Sequence, residues 1–311
     1  MPHCFYLIGD AHLGKSFKSK DIPLEMKGKR EEILIEKFIG RFSHGLEAIA
    51  ETDFMEGIIQ LGDLFDSPNV SYDTLLLAYR TLLDVESKGV PCYILAGNHD
   101  LSKDLNRKSA MEILAEMFRD SKHIHFIINE PVLINDDVLI VPYSHFKTVE
   151  DQVKDYIGVA KEVYGHFNVE DFTYLSTNFE HVYTGHIHKP EQLGNVLVVG
   201  SILPLTFGED ANNSFMKTCS LEEYERDVAE GISESKCYRI KLKDGQELPL
   251  EKKCLQMSVY KEKVENVENI SVDFDTFDLE KIMRDTMGDP DLFEEVYALY
   301  NQLRMEEASN V

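Results

Sequence analysis

Residues 57–66 read GIIQLGDLFD, a short apolar run that ends in Gly62 and Asp63 and is followed by Asp66. Apolar runs of this length, bounded by turn residues, indicate buried β-strands. Between the early runs, the sequence has apolar residues at helical spacing over residues 31–50, 73–85 and 107–118. The strand pattern recurs in CFYLIGD (4–10), VPCYILAGNHD (90–100), DVLIVPYSH (137–145), EVYGH (162–166), HVYTGH (181–186) and NVLVVGS (195–201). This alternation predicts an α/β fold of layered sheets and helices.

The sequence changes character at GEDANNS (208–214), which is polar and rich in turn formers. The stretch CYRIKLKDGQELPL (237–250) then predicts a β-hairpin whose turn is Asp244-Gly245. Asp289-Pro290 predicts the start of a helix whose apolar residues share one face. We therefore expect two domains, residues 1–210 and a smaller α+β module over residues 211–311.

The composition is that of a soluble globular protein, with 311 residues, 43% hydrophobic and 28% charged. No apolar run approaches the roughly 18 residues that cross a bilayer, and residues 4–8 are too few for a signal-peptide core. The five cysteines include no C-x-x-C pair, so neither a disulfide scaffold nor a structural zinc site is indicated. We expect a cytoplasmic protein with no membrane segment. Its formal net charge of −24 makes it a poor non-specific binder of nucleic acid.

Polar residues that can bind metals follow the predicted strands directly. Because strand ends of an α/β sheet gather into one crevice, we expect these side chains to meet. Carboxylates, imidazoles and an amide, without a thiolate, suit Mn²⁺, Fe²⁺ or Zn²⁺. They are too many for one ion and suit two ions that share a carboxylate, the arrangement that clamps both oxygens in phosphoryl displacement. The motifs are Asp10-x-His12, Gly62-Asp63-x-x-Asp66, Gly97-Asn98-His99-Asp100, His166 and Gly185-His186-x-His188.

The order of these motifs resembles the calcineurin-like metallophosphoesterase superfamily, over about residues 4–209. DAHLG (10–14), GDLFD (62–66), GHIHKP (185–190) and VVGSILPLTFGE (198–209) are similar to SbcD-type repair nucleases. VYGHFN (163–168) is similar to phage recombination-endonuclease subunits of the same branch. The resemblance implies a layered αββα sandwich. It also implies dimetal-dependent DNA hydrolysis by the exo- or endonuclease subunit of an SbcCD-like repair or recombination complex.

The resemblance also implies a role for each site residue. The expected ligands are Asp10, His12 and His188 for a first ion, Asn98, His166 and His186 for a second, and Asp63 as the bridge. The ions are expected to be two divalent cations, Mn²⁺ above all. His99 would face the scissile phosphate as a catalytic residue rather than bind metal, with Asp66 orienting its ring. Asp100 is expected to be a turn or supporting residue. For His166 another histidine stays open, because a lone Gly-His is a weak pattern.

Two basic clusters begin beside the strand ends and are predicted DNA contacts, although solvated loops are an equal alternative. They include Lys15, Lys18 and Lys20 after the first motif, and Lys103, Arg107 and Lys108 after the third. The expected partners are DNA and an SbcC-like coiled-coil ATPase, which would supply the grip on DNA that a chain of this charge lacks. The helix after Pro290 would dock that ATPase, and the helix from Arg107 would form a homodimer seam. Packing within the chain's own core is the alternative for both helices.

Three other functions stay open at this stage. One is a small-molecule or nucleotide phosphodiesterase or phosphatase of the same superfamily, and another is a subunit whose site only binds metal. The third is a P-loop protein, because residues 9–16 read GDAHLGKS. Against the P-loop, no apolar helical period follows Ser16, and Asp10 would lie within a loop that must bind phosphate.

Overall fold

The computed structural model describes residues 3–261, apart from Leu105, Ala211, Asp244, Leu250 and Glu251. The helix predicted after Pro290 lies outside the described residues. None of the described helices is long and apolar enough to cross a membrane. The cytoplasmic location and the domain boundary after residue 210 stay predictions.

The first sheet consists of four parallel strands, and three helices cover one of its faces. The helices predicted over residues 31–50, 73–85 and 107–118 are confirmed, and two of them have the caps that their sequences favour. The Oγ of Ser71 accepts the N–H of Thr74, and Ser109 and Glu112 form a reciprocal capping box. The strands, in sheet order, are β1 (Phe5–Ile8), β2 (Gly57–Gln60), β3 (Cys92–Leu95) and β4 (Ile124–Ile127). The helices are α1 (Lys29–Glu51), α2 (Tyr72–Ser87) and α3 (Ala110–Met117).

The second sheet has six strands, of which the inner four are parallel and the two edge strands antiparallel. Two short helices accompany it, α4 (Val149–Val153) and α5 (Phe172–Asn178). In sheet order the strands are β5 (Val132–Ile134), β6 (Val138–Val141), β7 (Glu162–Gly165), β8 (His181–Thr184), β10 (Val196–Val198) and β9 (Glu191–Leu193). Single 3₁₀ turns occur at Leu24–Met26, Lys154–Tyr156, Val169–Asp171 and Ser233–Ser235.

The two sheets stack between the two sets of helices, which confirms the predicted αββα sandwich. Neighbouring residues of a strand point to opposite faces. On β2, Ile58 packs with Phe38 and Leu82 beneath α1 and α2, while Ile59 packs with Tyr164 between the sheets. A third apolar cluster lies between the second sheet and its helices, and contains Val163, Leu175, Phe179 and Val182. The central strands β2, β3, β6 and β7 are therefore covered on both faces, which explains why they are mostly apolar runs.

Residues 215–261 add a three-stranded sheet with one helix. It consists of β11 (Met216–Ser220), α6 (Leu221–Ala229), β12 (Cys237–Leu242) and β13 (Gln256–Lys261). All three strands run parallel, so the hairpin predicted at Asp244-Gly245 is wrong. The turn signal is local, whereas the register of β12 and β13 is set by burial of alternate residues such as Tyr238 and Met257. Phe215 and Met216 join the apolar cluster under α1, so this part packs directly on the helical layer.

Candidate metal centre

The residues predicted to bind metal follow the carboxyl ends of five parallel strands, and the structure brings all of them together at one edge of the sandwich. Asp10 and His12 follow β1, Asp63 follows β2, Asn98 follows β3, His166 follows β7, and His186 and His188 follow β8. The carboxyl ends of β1, β2 and β3 in one sheet meet those of β7 and β8 in the other. Loops at this edge are held by rigid strands, so the donor atoms have fixed positions.

A first group of donors consists of Asp10, His12 and His188. The Nε2 atoms of His12 and His188 lie 3.0 Å apart. The Oδ2 atom of Asp10 lies 3.5 Å from Nε2 of His188 and 4.0 Å from Nε2 of His12. Three donor atoms from two loops therefore converge within 4.8 Å of one another.

A second group consists of Asn98, His166 and His186. Oδ1 of Asn98 lies 2.9 Å from Nε2 of His166 and 3.0 Å from Nδ1 of His186. The two ring nitrogens are themselves 3.2 Å apart. The fully buried Nδ1 of His166 contacts the main-chain oxygen of Leu61 at 2.9 Å, which fixes the ring so that Nε2 points toward the group.

Asp63 lies between the two groups and offers one oxygen to each. Its Oδ2 atom is 3.6 Å from Nε2 of His12, and its Oδ1 atom is 3.5 Å from Nε2 of His166. Burial raises the pKa of Asp63, but the hydrogen bond and charge of His166, the charge of His12 and the N–H of His99 hold it well below its usual value. Asp63 is thus an ionised carboxylate with the geometry of a bridging ligand.

The donor chemistry fits two divalent cations. Asp10 is 1% exposed, and its Oδ2 atom has no hydrogen-bond donor among the described residues. A buried carboxylate oxygen without a donor is costly unless a cation faces it. Burial opposes a charge on His166, yet Asp10 and Asp63 raise its pKa to about 9. Burial also opposes a charge on His188, yet Asp10 and Glu209 raise its pKa to about 10. These carboxylates attract positive charge, and divalent ions supply it more strongly than protons do.

Three of the six non-glycine residues with positive φ in the described part of the chain belong to this site. His12, Asp63 and His186 have φ angles of +47°, +48° and +71°. This left-handed backbone conformation costs residues other than glycine about 1–2 kcal/mol each. Glycine is required nearby for another reason, since a Cβ on Gly97 would lie 2.2 Å from Oδ1 of Asp63. The strands hold ligand loops in conformations that the loops would not prefer by themselves.

The calcineurin-like phosphoesterase family profile matches residues 5–190, which span β1 to the loop after β8. This match covers more than half of the chain and includes every ligand-bearing loop. The chain belongs to the calcineurin-like phosphoesterase family. The predicted family is therefore confirmed.

Two proteins similar to this chain are both DNA double-strand break repair proteins Mre11. The protein from Methanococcus maripaludis is 26% identical over 216 residues, which are 61% of this chain and 54% of that protein. The protein from Sulfurisphaera tokodaii is 31% identical over 109 residues, which are 35% of this chain and 25% of that protein. The chain thus matches about half of the first relative's length and a quarter of the second's. These similarities support the SbcD-type branch of the phosphoesterase family.

The two predicted catalytic residues of this phosphoesterase are in contact, but not as predicted. Nδ1 of His99 donates to the main-chain oxygen of Asp66 at 2.8 Å. The Asp66 carboxylate, expected to orient His99, instead accepts Lys15 Nζ at 2.9 Å and lies 3.3 Å from Nδ1 of His12. The turn after β2 is the reason, because it directs the carbonyl of Asp66 toward His99 and the side chain toward β1. Nε2 is the other nitrogen of the His99 ring, and the ring also lies close enough to His12 and Asp63 for the three to hold a metal ion.

Two acidic residues support the ligand loops. The buried carboxylate of Asp100 accepts the main-chain N–H groups of Leu64, Phe65 and Gly97 at 2.8–3.2 Å, which confirms its supporting position. Glu209 had no predicted role, although it ends the stretch that resembles SbcD-type nucleases. Its Oε1 lies 3.4 Å from Nδ1 of His188, and burial of its carboxylate is outweighed by that imidazole, so its pKa falls to about 2. Glu209 thus contacts the outer nitrogen of His188, a predicted metal ligand.

The six predicted DNA contacts do not share one surface. Lys103 and Arg107 are exposed and line a cleft of 510 Å³ that also contains Asn98 and His99. The other residues lie elsewhere. Lys15 is half-buried against Asp66, Lys18 and Lys20 are exposed around a separate cavity, and Lys108 lines a groove beside β4.

The P-loop alternative is wrong. A P-loop opens directly into a helix, but residues 15–23 form none, and α1 begins only at Lys29. The lysine of the motif, Lys15, is already paired with Asp66. The motif therefore belongs to the ligand loop after β1.

Proposed function

We propose that this chain hydrolyses DNA phosphodiester bonds as a two-metal nuclease of the SbcD type. One observation carries the proposal: two groups of metal-binding donors share the Asp63 carboxylate, and one of those donors, Asn98, also lines a cleft that contains Lys103 and Arg107. Two-metal sites with a shared carboxylate clamp the attacking and leaving oxygens of a phosphoryl displacement. The similarity to two DNA repair proteins favours DNA over other phosphodiesters.

The cleft beside the metal centre has the chemistry of a nucleic-acid site. Its lining includes Lys103 and Arg107, the rings of Tyr143 and His145, and the carboxylates of Asp66 and Asp104. Lysine and arginine bind backbone phosphates, while aromatic rings stack on unpaired bases. We expect the scissile phosphate to lie at the end of the cleft where His99 meets the ligand groups.

Each group of the site then has a defined task. When bound, two divalent ions would polarise the phosphodiester and lower the pKa of a water molecule, and Mn²⁺ is the ion that we propose. One ion would be held by Asp10, His12 and His188. The other would be held by Asn98, His166 and His186, and both would be bound by Asp63. Nδ1 of His99 already donates its proton to the main-chain oxygen of Asp66, so a second proton on the ring would be held by Nε2, and this is the proton that His99 would give to the leaving oxygen.

The net charge of −24 opposes DNA binding, so we propose a separate partner that holds the DNA. An SbcC-like coiled-coil ATPase has this role in the proposal, with the helix predicted after Pro290 as its docking element. Co-purification of the two proteins tests this point, with and without residues 290–311. Unchanged binding of the shortened chain would exclude this helix as the docking element.

A homodimer is proposed through α3. This helix buries Ala110 and Leu114 but leaves Ile113 and Met117 42% and 47% exposed, so half of an apolar face is uncovered. Ile113→Glu should lower the mass measured by light scattering from a dimer to a monomer. A wild-type protein that is already monomeric at micromolar concentration would contradict the proposed dimer.

A small-molecule phosphodiesterase is the second candidate, because a cleft of 510 Å³ also has the size of a small-ligand pocket. The test is hydrolysis by the purified chain of end-labelled single- and double-stranded DNA, an aryl phosphodiester and ATP, with Mn²⁺ or EDTA. We expect DNA cleavage that EDTA and Asp63→Asn both abolish. Asp84→Asn, on the exposed face of α2, removes the same charge and should leave it intact. Turnover of the aryl phosphodiester alone would favour the second candidate.

A further inference from the structure

Lys15 is the lysine of GDAHLGKS (residues 9–16), and it is not one of the proposed metal ligands. Its Nζ atom lies 2.9 Å from Oδ1 of Asp66. Only 29% of the Lys15 side chain and 26% of the Asp66 side chain are exposed. The ion pair therefore forms in a partly desolvated place, where it is stronger than an exposed pair.

Asp66 connects this ion pair to two histidines of the site. Its Oδ1 atom, which binds Lys15, also lies 3.3 Å from Nδ1 of the buried His12. Its main-chain oxygen accepts Nδ1 of His99 at 2.8 Å, and its own N–H donates to Leu13 at 3.0 Å. One aspartate thus contacts both a predicted metal ligand and the proposed proton donor, and its 3.3 Å contact with Nδ1 of His12 is close without having hydrogen-bond geometry.

We propose that Lys15 is a positioning residue, whose ammonium group fixes the Asp66 carboxylate against His12 so that Nε2 of His12 faces the metal centre. A carboxylate near the outer nitrogen of a metal-binding histidine favours the tautomer whose inner nitrogen is free to bind. This inference rests on the proposed two-metal site. It replaces the prediction that Lys15 binds DNA, because Lys15 would have to leave Asp66 to reach a phosphate.

The two roles predict opposite changes in metal affinity. Removing a lysine charge near a cation site by itself strengthens binding of a divalent cation, because a repulsion is lost. Removing a positioning residue weakens binding, because the ligand is no longer held in its productive orientation. Loss of such an outer contact typically weakens metal affinity by about 10–100-fold.

The experiment is titration of Mn²⁺ by isothermal calorimetry into four proteins: wild type, Lys15→Met, Asp66→Asn and the double variant. Methionine retains the apolar stem of lysine and removes only its charge. We expect Lys15→Met to weaken Mn²⁺ binding by about 10-fold. In the Asp66→Asn background the same change should have almost no effect, because the two residues act as one unit. Unchanged or tighter binding by Lys15→Met, or equal losses in both backgrounds, would overturn the proposal.

Two further variants control the measurement. Lys15→Arg keeps a charge that can bind Asp66 and should restore most of the Mn²⁺ affinity. Lys154→Ala removes the lysine of an exposed ion pair with Asp151, 3.2 Å long, and should leave Mn²⁺ affinity unchanged. A loss in Lys15→Arg as large as in Lys15→Met would show that the charge is not what positions Asp66, and would contradict the proposal.

The salt dependence of DNA binding supplies an independent readout. Loss of a true phosphate contact lowers the slope of log affinity against log salt by about 0.7–0.9. We expect Lys15→Met to leave the slope unchanged, and a decrease of this size would restore the DNA-contact role. The Mn²⁺ titration needs no DNA. A chain that binds Mn²⁺ as described but never cleaves DNA would therefore contradict the proposed nuclease function alone.

Discussion

Replacing Asp100 with alanine tests how the two ligand loops are held. The Asp100 carboxylate is fully buried and accepts three main-chain N–H groups, from Leu64 and Phe65 after β2 and from Gly97 after β3. Asp100→Ala leaves these donors without an acceptor. An unsatisfied buried donor costs about 1–3 kcal/mol, so the three together predict a loss of about 3–9 kcal/mol.

We expect a loss of stability in the lower part of this range, because burial of the Asp100 carboxylate is itself unfavourable. Burial and the nearby Asp63 charge raise the pKa of Asp100 to about 7, and the alanine variant no longer carries this penalty. We therefore expect Asp100→Ala to lower the free energy of unfolding by about 3–5 kcal/mol.

The assay is urea unfolding in EDTA, which removes any contribution of bound metal. The chain contains no tryptophan, so far-ultraviolet circular dichroism is the suitable signal. Asp104→Ala is the matched control, because its exposed carboxylate accepts only the N–H of Asn106 among the described residues. It should change the free energy of unfolding by less than about 1 kcal/mol. A similarly small effect of Asp100→Ala would refute the reasoning, because it would show that the three hydrogen bonds do not hold the loops.

Three further predictions concern the metal centre. His99→Ala should keep its metal content and lose about 10²–10⁴-fold in rate, and loss of metal measured by mass spectrometry would instead make His99 a ligand. Gly97→Ala should lose metal, since its Cβ would lie 2.2 Å from the bridging carboxylate. Gly40→Ala, on α1 with no atom within 4 Å of the added Cβ, should not. At pH 7.5 binding of Mn²⁺ should displace about two protons, which calorimetry in buffers of different ionisation enthalpy can measure. The affinity for Mn²⁺ should also rise with pH until the pH exceeds the raised pKa values of the two histidines. Release of no proton would contradict the raised pKa values of about 9 and about 10 for His166 and His188.

The convergence of the predicted metal-binding residues could be predicted because each follows a strand that is recognisable by itself. An apolar run of four to six residues fixes where the strand ends, and parallel strands place their ends at a common edge. His166 was the weakest of these predictions, since only a Gly-His pair marks it. The structure places it against Asn98 and Asp63, so the topology supplied what the pattern lacked.

The orientation of side chains at the edge of the site could not be predicted. The spacing of Asp66 after Asp63 predicts that Asp66 lies near the centre. It does not predict whether the carboxylate or the main-chain carbonyl of Asp66 faces His99. That choice depends on the backbone of the turn after β2 and on Lys15, which belongs to a different loop. The hairpin at residues 244–245 was wrong for a related reason, because a local turn signal carries no information about which distant strand becomes the neighbour.

The strained ligand loops and the buried charges follow from the same requirement. His12, Asp63 and His186 have positive φ, and one oxygen of the buried Asp10 has no donor within the described part of the chain; each of these features destabilises the fold by itself. These features would favour binding of a divalent cation between the loops, because the donor atoms are already in fixed positions and do not need to reorganise. The apolar clusters on both faces of the central strands provide the stability that keeps these loops in place. Packing of the fold alone would favour apolar residues at these positions. The buried donors and strained loops are therefore explained by binding of cations.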